Sequence, residues 1–310
     1  MVMANLTIKQ MRYFEALARH GHFGRAAAAS AISQPALSVQ IKELEQELGT
    51  ALFERGARHV RLTGFGEQFA PRVREILRAV DELGDLARAA QDQLVGRLRI
   101  GIIPTIAPYL LPTILRNLSG AFAGIDMHVR ETLTPRLLLE LGDGRLDTAI
   151  VALPVSEPGL TEVPLFTERL MLVRPADQGA QPVPTPEDLR GMRMLLLEEG
   201  HCFRNQALDF CELRAVLPRD GLDGSSLSTL VQMVGAGLGV TLIPEMAVPV
   251  ETRSADVAVA HFPAPQPTRT VGMVWRNSSP LASQLLRIAE VVRQSCEQQD
   301  TRAEPAQAAE

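Results

Sequence analysis

Residues 33–55 read SQPALSVQIKELEQELGTALFER, and this stretch decides how the first part of the chain folds. Ser33 is suited to cap a helix, Pro35 fits the first turn of that helix, and Gly49 is suited to end it. Between them the apolar residues recur at helical spacing, which predicts one buried face and one polar face. The apolar face consists of Leu37, Ile41, Leu44 and Leu48, and the polar face of Gln34, Ser38 and Lys42.

The segments on either side complete a small unit. Thr7 and Gln10 fit a capping box before a first amphipathic helix, and residues 23–29 predict a second, short helix. Residues 53–62 predict two short strands around a basic turn that contains glycine, which would form a wing. Residues 1–63 contain eight Lys or Arg and five Glu, in a chain whose formal net charge is -5. This basic unit is therefore a candidate for contact with nucleic acid.

A long helical pattern follows, from residue 63 to about residue 94. Its apolar residues alternate at intervals of four and three, which is the heptad spacing of a two-helix interface. We interpret residues 64–95 as a linker helix through which the chain dimerises. The alternative is a helix whose apolar side lies on its own domain. The seam consists of Phe69, Val73, Ile76, Val80, Leu83, Ala87, Ala90 and Leu94.

From Gly96 onward, strand patterns alternate with helix patterns, which favours an α/β fold with helices on the faces of a sheet. The predicted strands are residues 98–102, 127–131, 147–153, 170–173, 194–197, 241–243 and 271–275. The predicted helices are residues 109–122, 136–141, 203–213, 226–235 and 283–298. Residues 301–310 lack core-forming side chains, and we expect a disordered tail there.

Length and composition limit the class of protein. With 310 residues, 46% of them hydrophobic and 22% charged, the chain is globular and long enough for two or three domains. Its apolar runs are far shorter than the roughly 20 residues of a membrane span, and no secretion signal is recognisable. We therefore expect a cytoplasmic protein without membrane contact. In a reducing compartment its three cysteines do not indicate a disulfide framework, and we expect neither a metal nor a cofactor.

Several motifs occur in a fixed order within the first 63 residues. They are FGRAA at 23–27, SQPALS at 33–38, QIKELE at 40–45, LG at 48–49, LFER at 52–55 and LT at 62–63. Together they resemble the signature of LysR-type transcription regulators, and the resemblance extends over residues 6–295. It implies an N-terminal winged helix-turn-helix, a linker helix that dimerises, and a two-lobed regulatory domain similar to a periplasmic binding protein.

The resemblance also implies the domain boundaries. The DNA-binding domain would be residues 1–63, the linker helix 64–95 and the regulatory domain 96–300. Within the regulatory domain, lobe I would be about 96–169 and 271–300, and lobe II about 170–270.

A second group of motifs resembles the peroxide-sensing branch of that family. Residues 103–112 read IPTIAPYLLP, and residues 200–204 read GHCFR with a further cysteine nine positions after the first. The resemblance implies that Cys202 is the peroxidatic cysteine and Cys211 the resolving one, joined by a disulfide that switches the protein. The chain departs from the pattern at Asn205, where a carboxylate is usual, and in its extra Cys296. The peroxide pocket would be lined by Thr105, Thr134, His201, Arg204 and Arg269.

The surroundings of Cys202 suit such chemistry. This residue lies where a predicted strand has ended and a helix begins, and the positive end of a helix favours a thiolate. Neighbouring His201 and Arg204 can add positive charge or hydrogen bonds. Cleavage of peroxide also needs a donor for the departing oxygen, a task for a positioned Arg, His or hydroxyl.

The distance between the two cysteines implies that forming the disulfide changes the conformation. If residues 203–211 stay helical, nine steps of about 1.5 Å separate the two α-carbons by roughly 13 Å. A disulfide tolerates no more than about 7 Å between α-carbons. The helix must therefore unwind for the bond to form, so that the oxidised and reduced states cannot share one fold in this segment.

The resemblance further implies the partners. The chain would read double-stranded DNA as a homodimer or, with two dimers paired, a homotetramer, and hydrogen peroxide would be its signal. RNA polymerase and a thiol reductant such as glutaredoxin or thioredoxin are expected partners. The DNA-contacting residues would be Ser33, Gln34, Pro35, Ser38, Lys42, Arg55 and Arg58.

Three other functions remain open at this stage. One is a regulator of the same family that binds a small metabolite between its lobes, with the cysteines incidental. Another is an enzyme or solute-binding protein built on the two-lobed fold, although no phosphate loop or nucleophile-base motif supports it. The third is a repressor rather than an activator, because the sequence does not determine the sign of regulation.

Overall fold

The computed structural model describes residues 6–56, 60–89, 96–211 and 223–303, apart from the side chains of residues 55, 88 and 297–303. These residues form two compact units, Met1–Ala87 and Arg88–Glu310. The first unit contains α1 (Ile8–His20), α2 (Phe23–Ala29), α3 (Gln34–Leu48), β1 (Phe53–Arg55), β2 (Val60–Leu62) and most of α4 (Gly64–Ala89).

Local signals in the sequence place the first helices correctly. Thr7 and Gln10 form the predicted capping box of α1. The Ser33 hydroxyl accepts a hydrogen bond from the Ala36 amide at the start of α3, and Gly49 ends α3 with a left-handed φ of 68°. β1 and β2 pair antiparallel, with Phe53 opposite Leu62. The predicted caps, helices and wing are therefore confirmed for the described residues.

Burial of one face of each helix holds the first unit together. Its fully buried side chains include Phe14, Leu17, Leu37, Ile41 and Leu44. Glu45 ties α3 to the wing, because its Oε1 accepts hydrogen bonds from the amides of Leu52, at 2.9 Å, and Phe53, at 3.2 Å. The packing fixes α3 with its polar side outward.

Helix α4 contributes to the core of the first unit and also has exposed apolar residues. Val73 and Leu77 are buried in the core of the first unit, as in the alternative of a helix lying on its own domain. Ile76 is 44% exposed and Leu83 is 65% exposed, and a second helix packed on α4 would cover them, as the dimer interpretation predicts. Ala90 and Leu94 lie outside the described residues.

The second unit alternates strands and helices as predicted. Its strands are β3 (Gly96–Ile102), β4 (Ile125–Glu131), β5 (Thr148–Leu153), β6 (Leu160–Pro175), β7 (Leu196–Leu197), β8 (Asp223–Gly224), β9 (Thr241–Pro244), β10 (Val257–Ala260) and β11 (Thr268–Arg276). Its helices are α5 (Ala107–Ala121), α6 (Thr134–Gly142), α7 (Pro186–Leu189), α8 (Cys202–Phe210), α9 (Leu227–Gly235), α10 (Val248–Glu251) and α11 (Ala282–Ala303). None of the helices within the described ranges has both the length and the apolar character needed to cross a bilayer.

One long strand runs through both lobes of this unit. Among the described residues, a sheet of seven strands has the order β10-β6-β11-β5-β3-β4, with β9 also paired to β6. Strand β6 pairs with β11 as far as Arg169, and from Leu170 it pairs with β9 and β10. We call the buried cluster around Ile100, Ile114 and Val274 the lobe I core. The cluster that forms the lobe II core includes Leu172, Leu195 and Val231.

The structure corrects several predicted boundaries. The strand predicted at 170–173 lies near the end of the sixteen-residue β6, because the first part of that strand mixes polar residues and Pro164 into a partly exposed pattern. Of residues 194–197, only Leu196–Leu197 form a strand. Helix α8 starts at Cys202 and ends at Phe210 rather than at residue 213, and residues 212–222 lie outside the described part. Helix α11 continues to Ala303, so residues 301–303 of the expected tail are helical, and residues 304–310 are not described.

The exposed half of the α4 seam leads to a prediction. Replacing Leu83 with Glu should raise the dissociation constant of the dimer at least about tenfold, since burying one leucine contributes roughly 1.5–3 kcal/mol and a twofold interface contains it twice. Sedimentation velocity over a concentration series measures this. The control is Leu286→Glu, which adds the same charge at a leucine of α11 that is 52% exposed. An unchanged dissociation constant in Leu83→Glu would contradict a dimer interface on α4.

Candidate functional site

The turn before α8 brings the two lobes into contact. Strand β7 ends at Leu197, and Gly200 adopts a left-handed φ of 97°. A Cβ at Gly200 would lie 3.0 Å from Cδ1 of Leu133, the residue before α6. The turn therefore lies against the start of α6 in lobe I, where Thr134 is the first helical residue.

Cys202 is the first residue of α8, and its side chain is half-buried. It packs against the lobe I core, whereas Phe203, Ala207 and Leu208 of the same helix are buried in the lobe II core. The amides at a helix N-terminus favour a negative charge on the side chain there. Cys202 therefore combines this helix-terminal position with a contact to lobe I.

Arg269 forms a buried hydrogen-bonded cluster beside α8. Its Nε donates to Glu168 Oε1 at 2.7 Å, and its Nη1 donates to Thr105 Oγ1 at 2.9 Å. Its Nη2 donates to the carbonyl oxygen of Thr105 at 3.0 Å, and its guanidinium carbon lies 5.3 Å from the ring centroid of Phe203. Two of the predicted pocket residues, Thr105 and Arg269, are therefore directly joined.

His201 occupies the cap position of α8 and is buried. Burial lowers the pKa of its imidazole from the usual value near 6.5, and Glu198 partly opposes that shift. The ring is therefore neutral near pH 7, with one nitrogen able to donate a hydrogen bond and the other able to accept one.

Two buried polar atoms at this site accept no hydrogen bond from the described residues. They are Thr134 Oγ1 and Gln206 Oε1. A buried polar atom without a partner is costly, and it is satisfied when a small polar molecule binds. Sequence reasoning missed Gln206, although its position one helical turn after Cys202 places it on the same side of α8.

The side chain of Arg204 hydrogen-bonds within lobe II. Its Nη1 donates to the carbonyl oxygen of Leu197 at 2.6 Å and to Asp223 Oδ1 at 2.7 Å. It thereby ties α8 to β7 and β8 within lobe II. Its backbone amide donates to the carbonyl oxygen of His201, another predicted pocket residue, at 3.1 Å.

Cys211 follows directly after α8 and is 0% exposed, in the lobe II core. Burial raises the pKa of its thiol to about 11. All three cysteines are free thiols in the described part of the chain. Because α8 is continuous from Cys202 to Phe210, the separation of roughly 13 Å expected for nine helical steps applies to this state.

The two departures from the family pattern lie away from this chemistry. Asn205 is exposed on α8, so a carboxylate at that position would face solvent. Cys296 is buried in the lobe I core, where its Sγ donates to the carbonyl oxygen of Val292 at 3.2 Å. Within the described residues, no group of three or more His, Cys, Asp and Glu could hold a metal ion.

Five of the seven predicted DNA-contacting residues lie at the N-terminal end and polar side of α3. Gln34, Pro35 and Lys42 are exposed, Ser38 is half-buried, and Ser33 caps the helix. Arg55 lies in β1 with its side chain undescribed, and Arg58 lies outside the described residues. Arg25 Nη2 donates to the carbonyl oxygen of His20 at 2.8 Å, which anchors it near the start of α2.

Two family profiles together match nearly the whole chain. Residues 8–67 match the bacterial regulatory helix-turn-helix protein of the lysR family, and residues 91–297 match the LysR substrate binding domain.

Relatives match over the same length. A probable hydrogen peroxide-inducible genes activator of Streptomyces viridosporus is 42% identical over 93% of this chain and 94% of its own length. The DNA-binding transcriptional dual regulator OxyR of Escherichia coli is 40% identical over 93% of this chain and 95% of its own length. These relatives are transcription regulators and not enzymes.

Solved structures agree with these matches. A full-length OxyR variant from Pseudomonas aeruginosa, 37% identical, superposes with a TM-score of 0.75 over 94% of this chain and 96% of that one. A peroxide-bound OxyR mutant of Corynebacterium glutamicum, 35% identical, gives a TM-score of 0.65 over 94% and 93% of the two chains. The chain therefore belongs to the LysR family of bacterial transcription regulators, in the branch of the hydrogen peroxide-inducible activators.

Proposed function

We propose that this chain is a transcription regulator that binds double-stranded DNA and senses hydrogen peroxide by oxidation of Cys202. The observation that carries the proposal is the position of that thiol. It lies at the N-terminus of α8, against lobe I and next to the start of α6, where the buried hydroxyl of Thr134 has no partner among the described residues. A molecule as small as peroxide can supply the missing hydrogen bond.

In the first step the Cys202 thiolate attacks one oxygen of hydrogen peroxide. An S–O bond forms, the O–O bond breaks, and the departing hydroxide takes a proton to become water, which leaves a sulfenic acid on Cys202. Thr105, Thr134 and Arg269 would donate to the developing charge, and the neutral imidazole of His201 would donate one more hydrogen bond; the direct link between Arg269 and Thr105 supports this assignment.

In the second step Cys211 attacks the sulfur of the sulfenic acid, an S–S bond forms and water leaves. Helix α8 separates the two α-carbons by roughly 13 Å, and a disulfide needs about 7 Å or less, so α8 must unwind first. Burial of Cys211 keeps its thiol protonated while α8 is intact. Unwinding would therefore both bring the sulfurs together and expose the resolving thiol.

The disulfide would change contacts in both lobes. Cys202 would leave the lobe I core and Cys211 the lobe II core. The ion pair of Arg204 with Asp223 would be strained, as would the packing of the Phe210 ring, whose centroid lies 4.9 Å from that of Phe262. Such a local rearrangement can alter how regulatory domains pair in a homodimer or homotetramer and thus how the DNA-binding domains are spaced.

In the proposed arrangement the first 63 residues read DNA through α3 and the wing, residues 64–95 dimerise, and residues 96–300 sense peroxide. Control of antioxidant genes would follow from contact with RNA polymerase at the promoter. Glutaredoxin or thioredoxin would reset the disulfide.

The central experiment replaces Cys202 with Ser in the full chain. Footprints on target DNA should change with peroxide in the wild type and stay unchanged in Cys202→Ser, because no sulfenic acid can form. Cys296→Ser is the matched control, since it removes a buried thiol that the proposal does not use, and it should respond as the wild type does. Mass spectrometry of the oxidised wild type should find Cys202 joined to Cys211.

A response to peroxide that persists in Cys202→Ser would contradict the redox mechanism. A regulator controlled by a metabolite between the lobes would behave in that way. Its DNA response would then follow the metabolite and not the oxidant.

The two thiols should also differ in native reactivity. With the pKa of Cys211 raised to about 11, only roughly one such thiol in a thousand is a thiolate at pH 8. Iodoacetamide should therefore alkylate Cys202 more than about 100-fold faster than Cys211, and the Cys211 rate should rise about tenfold per pH unit up to pH 10. Site-resolved mass spectrometry measures both rates. In guanidinium chloride the rates should converge; equal rates in the native chain would contradict the burial argument.

A substitution on α3 tests the DNA reader. Gln34→Ala should weaken binding to the preferred site by about 1–3 kcal/mol while leaving nonspecific binding unchanged, because a paired glutamine-base contact contributes about that much discrimination. Gln46→Ala is the control, as another exposed glutamine near the opposite end of the same helix. Fluorescence anisotropy with specific and scrambled duplexes at fixed salt gives the ratio of the two dissociation constants. Equal losses on both duplexes would assign Gln34 to backbone contact only.

A further inference from the structure

Glu168 has no part in the proposed function, yet it is the partner of the buried Arg269. The two residues lie directly opposite each other across the antiparallel strands β6 and β11. The side chain of Glu168 is 7% exposed and that of Arg269 is 0% exposed. A buried ion pair of this kind is a poor source of stability, because removing both charges from water offsets much of their attraction.

Both oxygens of the Glu168 carboxylate are engaged. Its Oε1 accepts from Arg269 Nε at 2.7 Å, and its Oε2 accepts from the amide of Met246 at 3.1 Å. The two donors come from different segments, β11 and the turn before α10. Together they fix the plane of the carboxylate, and the carboxylate in turn fixes the guanidinium.

The fixed guanidinium then determines the hydrogen-bonding role of the Thr105 hydroxyl. Arg269 donates to both the hydroxyl and the carbonyl oxygen of Thr105. Because the hydroxyl oxygen already accepts a hydrogen bond, its own proton remains available to donate elsewhere. At this site the acceptor would be an oxygen of peroxide.

The field of the pair also reaches Tyr109. Burial is the main cause that raises the pKa of the Tyr109 hydroxyl, followed by its hydrogen bond to Glu251; Arg269 lowers that pKa and Glu168 raises it. The opposite signs show that Glu168 counteracts the positive charge of Arg269 within the site.

We propose that Glu168 is a positioning residue for the reduction of peroxide by Cys202. It holds Arg269 so that Thr105 presents its proton to the oxygen that departs when the S–O bond forms and the O–O bond breaks. The departing oxygen leaves as hydroxide and takes up a proton to become water. This inference rests on the proposed function and adds a residue that acts through Arg269 and Thr105 without touching peroxide.

The test compares two rates of Cys202 in the full chain at one pH. The first is oxidation by hydrogen peroxide, followed by trapping the sulfenic acid with dimedone and by mass spectrometry. The second is alkylation by iodoacetamide, which depends on the thiolate and its accessibility but needs no donor to a departing oxygen. The variants are Glu168→Gln, which keeps the shape and removes the charge, and Glu168→Asp, which keeps the charge.

Glu245→Gln is the matched control. Glu245 pairs with Arg169 at the surface, next to Met246 in the chain, and the proposal gives it no role. Glu168→Gln should lower the peroxide rate at least about tenfold, since removing one preorganised donor from an enzyme active site costs about 100- to 1,000-fold. Its alkylation rate should stay within about twofold of the wild type, Glu168→Asp should recover part of the peroxide rate, and Glu245→Gln should match the wild type.

Two outcomes would overturn the inference: a folded Glu168→Gln chain with the wild-type peroxide rate, or equal losses in the two rates, which would indicate a merely structural role. Near-ultraviolet circular dichroism checks folding. If Glu168→Gln does not fold, the same comparison of the two rates is made with Glu168→Asp. Its shortened carboxylate should also slow the reaction with peroxide while leaving the alkylation rate unchanged. A wild-type Cys202 no faster than free cysteine would contradict the proposed function instead, so the two failures are distinguishable.

Discussion

The backbone hydrogen bonds of α8 are the constraint on which the rest of the site depends. They keep Cys202 and Cys211 at opposite ends of one helix, so that the first thiol contacts lobe I while the second is buried in lobe II. A helix of that length and a disulfide between its ends are mutually exclusive. Any oxidation that joins the sulfurs must therefore break the packing of both cores, which is how a reaction at one atom can become a change of conformation.

A second constraint is electrostatic. Arg269 and Glu168 are buried where unpaired charges would be strongly unfavourable, and each has its hydrogen bonds largely supplied by the other, by Thr105 and by a backbone amide. Such a cluster contributes little net stability, but it presents fixed dipoles that need not reorganise during a reaction. Thr134 and Gln206, by contrast, hold buried oxygens without partners among the described residues. The site thus contains two kinds of buried polar group. Those with their hydrogen bonds made orient their neighbours, and those without a partner among the described residues can bind a small polar molecule.

The fold offers routes by which a local change can spread. Strand β6 belongs to both lobes, since it exchanges β11 for β9 and β10 at Leu170. A shift of one lobe must therefore bend or translate a continuous strand that also carries Glu168. In the other unit, α4 contributes Val73 and Leu77 to its own core and leaves Leu83 exposed, so the same helix has an apolar side chain outside that core.

Sequence alone determined the elements whose signals are local: the capped helices α1 and α3, the wing, the heptad spacing of α4, and Cys202 at a helix start. Periodicity and caps depend on residues three or four apart, which is why they can be read without a fold. Three features could not be predicted in this way: the first ten residues of β6, the pairing of Glu168 with Arg269, and the partner of Arg204. They depend on strand register and on contacts between segments 19 to 101 residues apart, which only tertiary packing decides.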